Sequence, residues 1–314
     1  VLMPALTNEQ SSLWRLMMPA GRADWIKPVL QEYIGYIDGP IGFLWQESTV
    51  LNAASLRVEV GGKAYVLKLF AANRNAAAIH ESTLMLEGIA ELPAFSLLGI
   101  TQVGELQCLI YECPADAGVE IKNLVPVVGK LNTRLMAIRP PERLQMLYQR
   151  SHPMLWQRLD IQALNGLEVA VNGSDDQNIF EQLLAAYPRM VSRLQELPLY
   201  IHVPDIQVAD LYWHPDGKAY FINWTRWALE PLGAGWLVFG YWFNELAAVF
   251  ENAKAASPEL SEYPLEQVEL AALCFALDQH CKRRQYRQAL ALAPKILERL
   301  EALESRSAKT EVEA

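Results

Sequence analysis

The run His202-Val203-Pro204-Asp205-Ile206-Gln207-Val208-Ala209-Asp210 puts two carboxylates five residues apart, and Asn223 follows downstream. Between them lie a strand-like stretch (Leu211 to His214), a turn (Pro215-Asp216-Gly217) and a second strand-like stretch (Lys218 to Ile222). Three oxygen-bearing side chains so spaced suit phosphoryl transfer. One carboxylate orients an attacking hydroxyl, and two oxygen ligands hold Mg2+ on nucleotide phosphates. Asp205 is the candidate base; Asp210 and Asn223 are the candidate metal ligands. Each also has a plainer reading, because Asp and Asn favour turns and caps. Pro204 stiffens the segment and removes a backbone N–H.

The stretch resembles the catalytic loop and metal strand of the aminoglycoside/choline-kinase type small-molecule phosphotransferases, which share the protein-kinase fold. Their pattern is His-Gly-Asp, four residues, Asn, then Ile-Asp-Trp. Here Val203-Pro204 stands for the glycine and adds one residue. Aligned on Asp205, the family's Asn is Asp210 and its metal Asp is Asn223. The two exchanges are reciprocal, so one carboxylate and one amide remain. His202 matches the family's catalytic-loop histidine, which orients the loop by hydrogen bonding. The resemblance makes Lys68 the lysine on the α/β phosphates and Glu81 its ion-pair partner, with Glu87 as a competitor. It makes Ile110 to Pro114 a hinge in which Tyr111 and Cys113 offer backbone groups to an adenine. The plain alternatives are a lysine on the wet face of an alternating strand and a solvated helix glutamate. Two family features are missing. Ser48 to Ser55 has no glycine, and Glu230 to Leu237 has no Asp to buttress the loop.

These residues need elements to carry them. Leu56 to Val60 and Ala64 to Phe70 alternate around Gly61-Gly62, which reads as a hairpin with Lys68 in its second strand. Ala76 to Glu91 is helical, with Ile79, Leu84, Leu86 and Ile89 apolar. Leu97 to Ile100 and Leu106 to Glu112 are further strands. Helices are expected over 24–36, 125–138, 142–155 and 178–197, the last behind an Asp cap in Asn172 to Asp176. A helical tail runs from Gly240 through Leu303, broken near Pro258 and Pro264. The fold expected is α+β and two-lobed as in protein kinases, with a small antiparallel β-rich N-terminal lobe and a mainly helical C-terminal lobe. Residues 1–113 would form the N-terminal extension and nucleotide lobe, 114–304 the helical lobe, and 305–314 a disordered tail.

Composition bounds the partners. The 314 residues carry 27 basic and 36 acidic side chains, a formal net charge of −9. That balance disfavours nucleic acid and anionic membrane, which need a basic footprint. No apolar run is long enough to span a bilayer, and the N-terminal residues lack the layout of a signal peptide. Four cysteines without metal-ligand spacing fit a reducing cytoplasm, with Cys274 and Cys281 as core thiols. Among the nine tryptophans, five lie between Trp213 and Trp242, as core or as walls for an acceptor.

The function expected is a Mg2+-dependent kinase moving the γ-phosphoryl of ATP or GTP to a hydroxyl of a small-molecule acceptor. The alternative is a kinase-like protein without turnover that binds a nucleotide or another small ligand. The acceptor and the oligomeric state are not readable from the sequence.

Overall fold

The computed structural model describes residues 19–49, 53–114, 124–203, 211–235 and 243–313. The chain forms two compact units. One comprises Val1–Lys122 together with Val208–Arg226, the other Asn123–Gln207 with Trp227–Ala314. The division expected after residue 113 is thus discontinuous: the stretch holding the second half of the chemistry-bearing run returns to the first unit.

The first unit is built on a five-stranded antiparallel sheet. Helix α1 (Pro19–Ile34) precedes strands β1 (Gly42–Thr49), β2 (Ala53–Val60) and β3 (Lys63–Phe70). Helix α2 (Asn75–Leu86) follows, then β4 (Ser96–Val103) and β5 (Leu106–Cys113), in the spatial order β1-β2-β3-β5-β4. Gly61 (φ 59°) and Gly62 (φ 77°) make the β2–β3 turn, where both central residues need the left-handed region. Alternation then sorts the side chains. Leu56, Val58, Leu67, Leu69, Cys108 and Ile110 face Trp25, Ile26 and Leu30 of α1. Val66, Phe70, Leu109, Tyr111 and Cys113 face Ala78 of α2 and Phe95.

The second face is closed by a hairpin from far along the chain, β7 (Leu211–Trp213) and β8 (Ala219–Phe221). Tyr212, Tyr220 and Ile222 pack there. Phe221 N–H donates to the Pro93 carbonyl (2.6 Å), and Phe221 bridges Ala94 in parallel.

Helix α2 starts within one residue of the expected position but ends at Leu86, five residues before the expected Glu91, and it presents an unexpected face. It buries Ala78, Glu81, Ser82 and Leu84 and leaves Ile79 and Leu86 exposed. The helix thus turns a glutamate inward and two large apolar residues outward, the reverse of what hydrophobic periodicity alone selects.

The second unit is helical around one short strand pair. Its elements are α3 (Leu124–Ala137), α4 (Glu142–Ser151), α5 (Leu155–Arg158), α6 (Asn165–Val171), α7 (Gln177–Glu196), α8 (Phe243–Ala256), α9 (Leu265–Lys282), α10 (Tyr286–Leu290) and α11 (Ala293–Glu313). A π-helical turn, Leu159–Leu164, joins α5 to α6. Strands β6 (Leu199–His202) and β9 (Ala228–Pro231) pair antiparallel. Helix α9 is buried along most of its length, Cys274 and Cys281 included.

Two expectations are corrected here. Residues 305–313 continue α11 rather than forming a disordered tail. Leu300 and Leu303 anchor that helix in the core, while Glu304 accepts from Arg189 (2.8 Å) and Ser307 from Arg193 (3.2 Å). Asp176 precedes α7 without a side-chain cap; its own N–H bonds to Ser174 Oγ (3.3 Å) instead. Among the described residues no helix is long and apolar enough to cross a membrane.

Candidate active site

Register fixes where Lys68 points. It stands opposite Ser55 on β2 and Leu109 on β5, and side chains directly opposite share a face. That face is the one covered by α2, so the ammonium enters a nearly dry space; Lys68 is 7% exposed. A cation there needs a partner. Glu81, fully buried on α2, accepts from Lys68 Nζ through Oε1. The same oxygen accepts from the Tyr111 hydroxyl (2.6 Å), and the ammonium lies 5.1 Å from the centre of the Tyr111 ring. Burial and the neighbouring Glu81 carboxylate push the Tyr111 phenol well above its ordinary range. The wet-strand and solvated-helix readings of Lys68 and Glu81 therefore do not hold.

Lys68 Nζ also donates to the carbonyl of Ile222. That bond joins β3 to the chain immediately before Asn223. Trp224 fixes the same turn, donating its indole N–H to the Phe221 carbonyl (2.8 Å) from a position 1% exposed. Lys68, Glu81, Tyr111 and the Ile222–Asn223 corner thus lie together within one unit.

Asn223 is committed to its own turn. Its Oδ1 accepts from Thr225 Oγ1 (2.7 Å) and from Thr225 N–H (3.4 Å). An amide oxygen so used keeps at most one lone pair for a cation. Asp205 and Asp210 lie outside the described residues, as do positions 50–52 of the glycine-free turn. Among the described residues no three His, Cys, Asp or Glu side chains converge as a metal cluster. The described residues therefore do not by themselves fit a magnesium site.

The hinge expectation changes in kind. Tyr111 sits between Val66 of β3 and Leu97 of β4, so its backbone is committed to the sheet. What Tyr111 brings is its hydroxyl. Cys113, at the end of β5, pairs only with Ala64 of β3, and its thiol is buried.

His202 closes β6 in the second unit and is 3% exposed. Its ring meets Phe275 edge-on (5.1 Å) and has the Tyr200 hydroxyl 3.4 Å from Nδ1. Gly235 (φ 84°) backs onto the imidazole, where any added Cβ would overlap the ring. Burial and the Arg158 charge drive the His202 pKa down to about 3, so the ring is neutral. The loop that His202 was expected to orient lies, beyond Val203, outside the described residues.

Three residues that sequence reading passed over form a second ionic centre. Arg158 donates Nη2 to Glu230 Oε1 (2.8 Å), Nε to Asp278 Oδ2 (3.0 Å) and Nη1 to the Pro153 carbonyl (2.9 Å). Lys282 adds a bond to Asp278 Oδ2 (2.8 Å). Burial pushes Glu230 up to about 7, against the pull of Arg158. The available signal was one charge inside each apolar run, Ala228-Leu229-Glu230-Pro231-Leu232 and Phe275-Ala276-Leu277-Asp278.

These shifts have opposite consequences for stability. Between about 4.5 and 7, folded Glu230 keeps a proton that the unfolded chain releases, so stability falls as pH rises. Between about 3 and 6.5, the unfolded chain protonates a histidine that the fold keeps neutral, so stability rises with pH. The two slopes cancel over their overlap. Glu230→Gln should leave a rising profile up to about pH 6.5, and His202→Asn a falling one from about 4.5, in thermal unfolding across pH. Parallel profiles for the two variants would mean that neither group is buried as described.

No family model matches this chain, and no curated protein does. Among solved structures it is similar to a spectinomycin phosphotransferase, APH(9)-Ia, in complex with ADP and spectinomycin. That likeness has 12% identity, covers 88% of this chain and 93% of that one, and has a TM-score of 0.45. It is also similar to the choline kinase LicA from Streptococcus pneumoniae (11% identity, 90% of this chain and 99% of that one, TM-score 0.44). A third likeness is an aminoglycoside phosphotransferase from Alicyclobacillus acidocaldarius subsp. acidocaldarius DSM 446 (14%, 90% and 96%, TM-score 0.44). At such values neither an activity nor a ligand carries over to this chain.

Proposed function

We propose that this protein is a nucleotide-dependent phosphotransferase, passing the γ-phosphoryl of ATP or GTP to a hydroxyl of a small molecule. The reading rests above all on the buried Lys68 ammonium, held between the Glu81 carboxylate and the Ile222 carbonyl. An ammonium has three donors. With two held by the protein, the third has a set direction and can meet a phosphate oxygen. Positioning and charge neutralisation are what such a reaction asks of a protein. Asp205 is proposed to orient the acceptor hydroxyl and take its proton. A divalent ion would screen the phosphates, with Asp210 as the carboxylate left to hold it.

A second reading, nucleotide binding without turnover, is favoured by one observation: Asn223 is neutral and gives its oxygen to Thr225.

Thermal unfolding with ATP or GTP, with and without Mg2+, tests the binding common to both readings. Saturation at about 100 times Kd should add roughly 2.7 kcal/mol. Asp205→Asn then separates the readings. It should keep that stabilisation while lowering phosphoryl transfer, or slow background hydrolysis, by about 100-fold or more. No stabilisation by either nucleotide sinks both readings. Stabilisation with turnover indifferent to Asp205 leaves the second.

A further inference from the structure

Arg57 is a charged residue that neither reading uses. It lies on β2 opposite Val66, one strand over from Lys68 and two residues along, so both side chains leave the same face of the sheet. Alternation would have put it in water. It is instead 5% exposed. Its Nη2 donates to the Pro114 carbonyl (2.6 Å), at the end of the segment expected to meet a nucleotide base. The guanidinium lies 5.5 Å from the centre of the Tyr212 ring, and the Cys113 thiol is hydrogen-bonded to it. Arg57, Pro114, Cys113 and Tyr212 all belong to the first unit.

The surroundings of that guanidinium are what a base would ask for. A guanidinium is planar, stacks on aromatic faces and donates hydrogen bonds in its own plane. A purine amino group and ring need the same two things, a backbone carbonyl and an aromatic platform. Position supports the match: Arg57 stands toward the 110–114 end of the face, and Lys68 stands where phosphates would reach.

We propose that Arg57 is a built-in occupant of the base subsite, a side chain that closes the nucleotide site from within and that a nucleotide must displace. The inference rests on the nucleotide reading above and adds to it. At the phosphate end Lys68 keeps one ammonium donor beyond Glu81 and the Ile222 carbonyl, while the base end is held by the protein itself. Wild-type protein should then bind the polyphosphate moiety with little contribution from the base.

Calorimetric titration of ATP and of inorganic tripolyphosphate, each with excess Mg2+, tests this on wild type, Arg57→Val and Arg57→Leu. Valine suits a strand position and leucine fills more of the vacated space, so one variant stands in should the other fail to fold, and both leave the Tyr212 platform in place for the base. Wild type should bind ATP and tripolyphosphate within about threefold of each other. Both variants should bind ATP about tenfold tighter or more, the scale of one charge-assisted hydrogen bond no longer broken, with tripolyphosphate unchanged. Wild-type ATP binding already tenfold tighter than tripolyphosphate overturns the inference alone, because the base subsite would then be open. Unchanged or weaker ATP binding in the variants overturns it likewise. Absence of ATP and tripolyphosphate binding in all three proteins overturns the nucleotide reading itself, and the inference with it.

Discussion

Lys68→Met should cost the sheet-containing unit roughly 3–5 kcal/mol, the penalty for leaving one member of a buried ion pair alone. The side chains of Lys68 and Glu81 are 9% and 0% exposed, so water does little to soften the loss. Tyr111 would still donate to the stranded carboxylate, which places the effect toward the lower end. The nucleotide response should vanish at the same time. Adding Glu81→Gln removes the uncompensated charge while keeping an acceptor for Tyr111. The double variant should therefore regain much of the stability and none of the nucleotide response. Denaturant unfolding and thermal shifts with ATP separate the two roles. A Lys68→Met protein that loses under about 1 kcal/mol and still responds to ATP would put the ammonium in solvent and end the phosphate assignment.

Arg158→Met should be as damaging in the helical unit, again about 3–5 kcal/mol. One guanidinium serves two buried carboxylates, on β9 and α9, and the methionine leaves both behind. Lys282 still bonds to Asp278, whereas Glu230 keeps only the longer-range pull of that ammonium and contributes more of the loss. Combining Arg158→Met with Glu230→Leu and Asp278→Asn replaces the ionic cluster by a mostly apolar one. That triple variant should recover most of the stability, because such clusters gain little over well-packed apolar substitutes. Denaturant midpoints for the single and triple variants provide the check. Equal losses in both would mean that packing volume, not charge, sets the cost.

The sequence made some of this legible. Gly61-Gly62 between two alternating runs predicted the β2–β3 hairpin, and both glycines take the left-handed backbone that such a turn requires. The pairing of Lys68 with Glu81 came from the family resemblance alone: Lys68 stands between Leu67 and Leu69, but Glu81 stands between His80 and Ser82, a polar setting that by itself reads as solvated. Arg57 was not legible. In Leu56-Arg57-Val58-Glu59-Val60 the alternation assigns it to water, and its burial depends on the Pro114 carbonyl, 57 positions later, and the Tyr212 ring, 155 positions later. The Arg158 cluster was hidden for the same reason, its partners standing 72 and 120 residues away. Helix α2 misled in the other direction, since the partner inside the fold was a lysine and the face it turned inward was accordingly not the apolar one. Local pattern reports what a residue prefers; it is silent on a partner that the chain supplies much later.

The β7–β8 hairpin also has a consequence for how this chain is made. Lys68 and Arg57 are synthesised early, but the Ile222 carbonyl and the Tyr212 ring that complete their surroundings emerge only after the whole of 123–207 has left the ribosome. Until then the inner face of the nascent sheet has α2 and Glu81 on it but lacks the rest of its cover. The first unit therefore cannot finish folding in the order it is translated, and closing so long a loop is slow compared with local structure. The early strands must wait, exposed, for a hairpin that comes late, which makes this interval of synthesis the one in which the chain most needs protection from its neighbours.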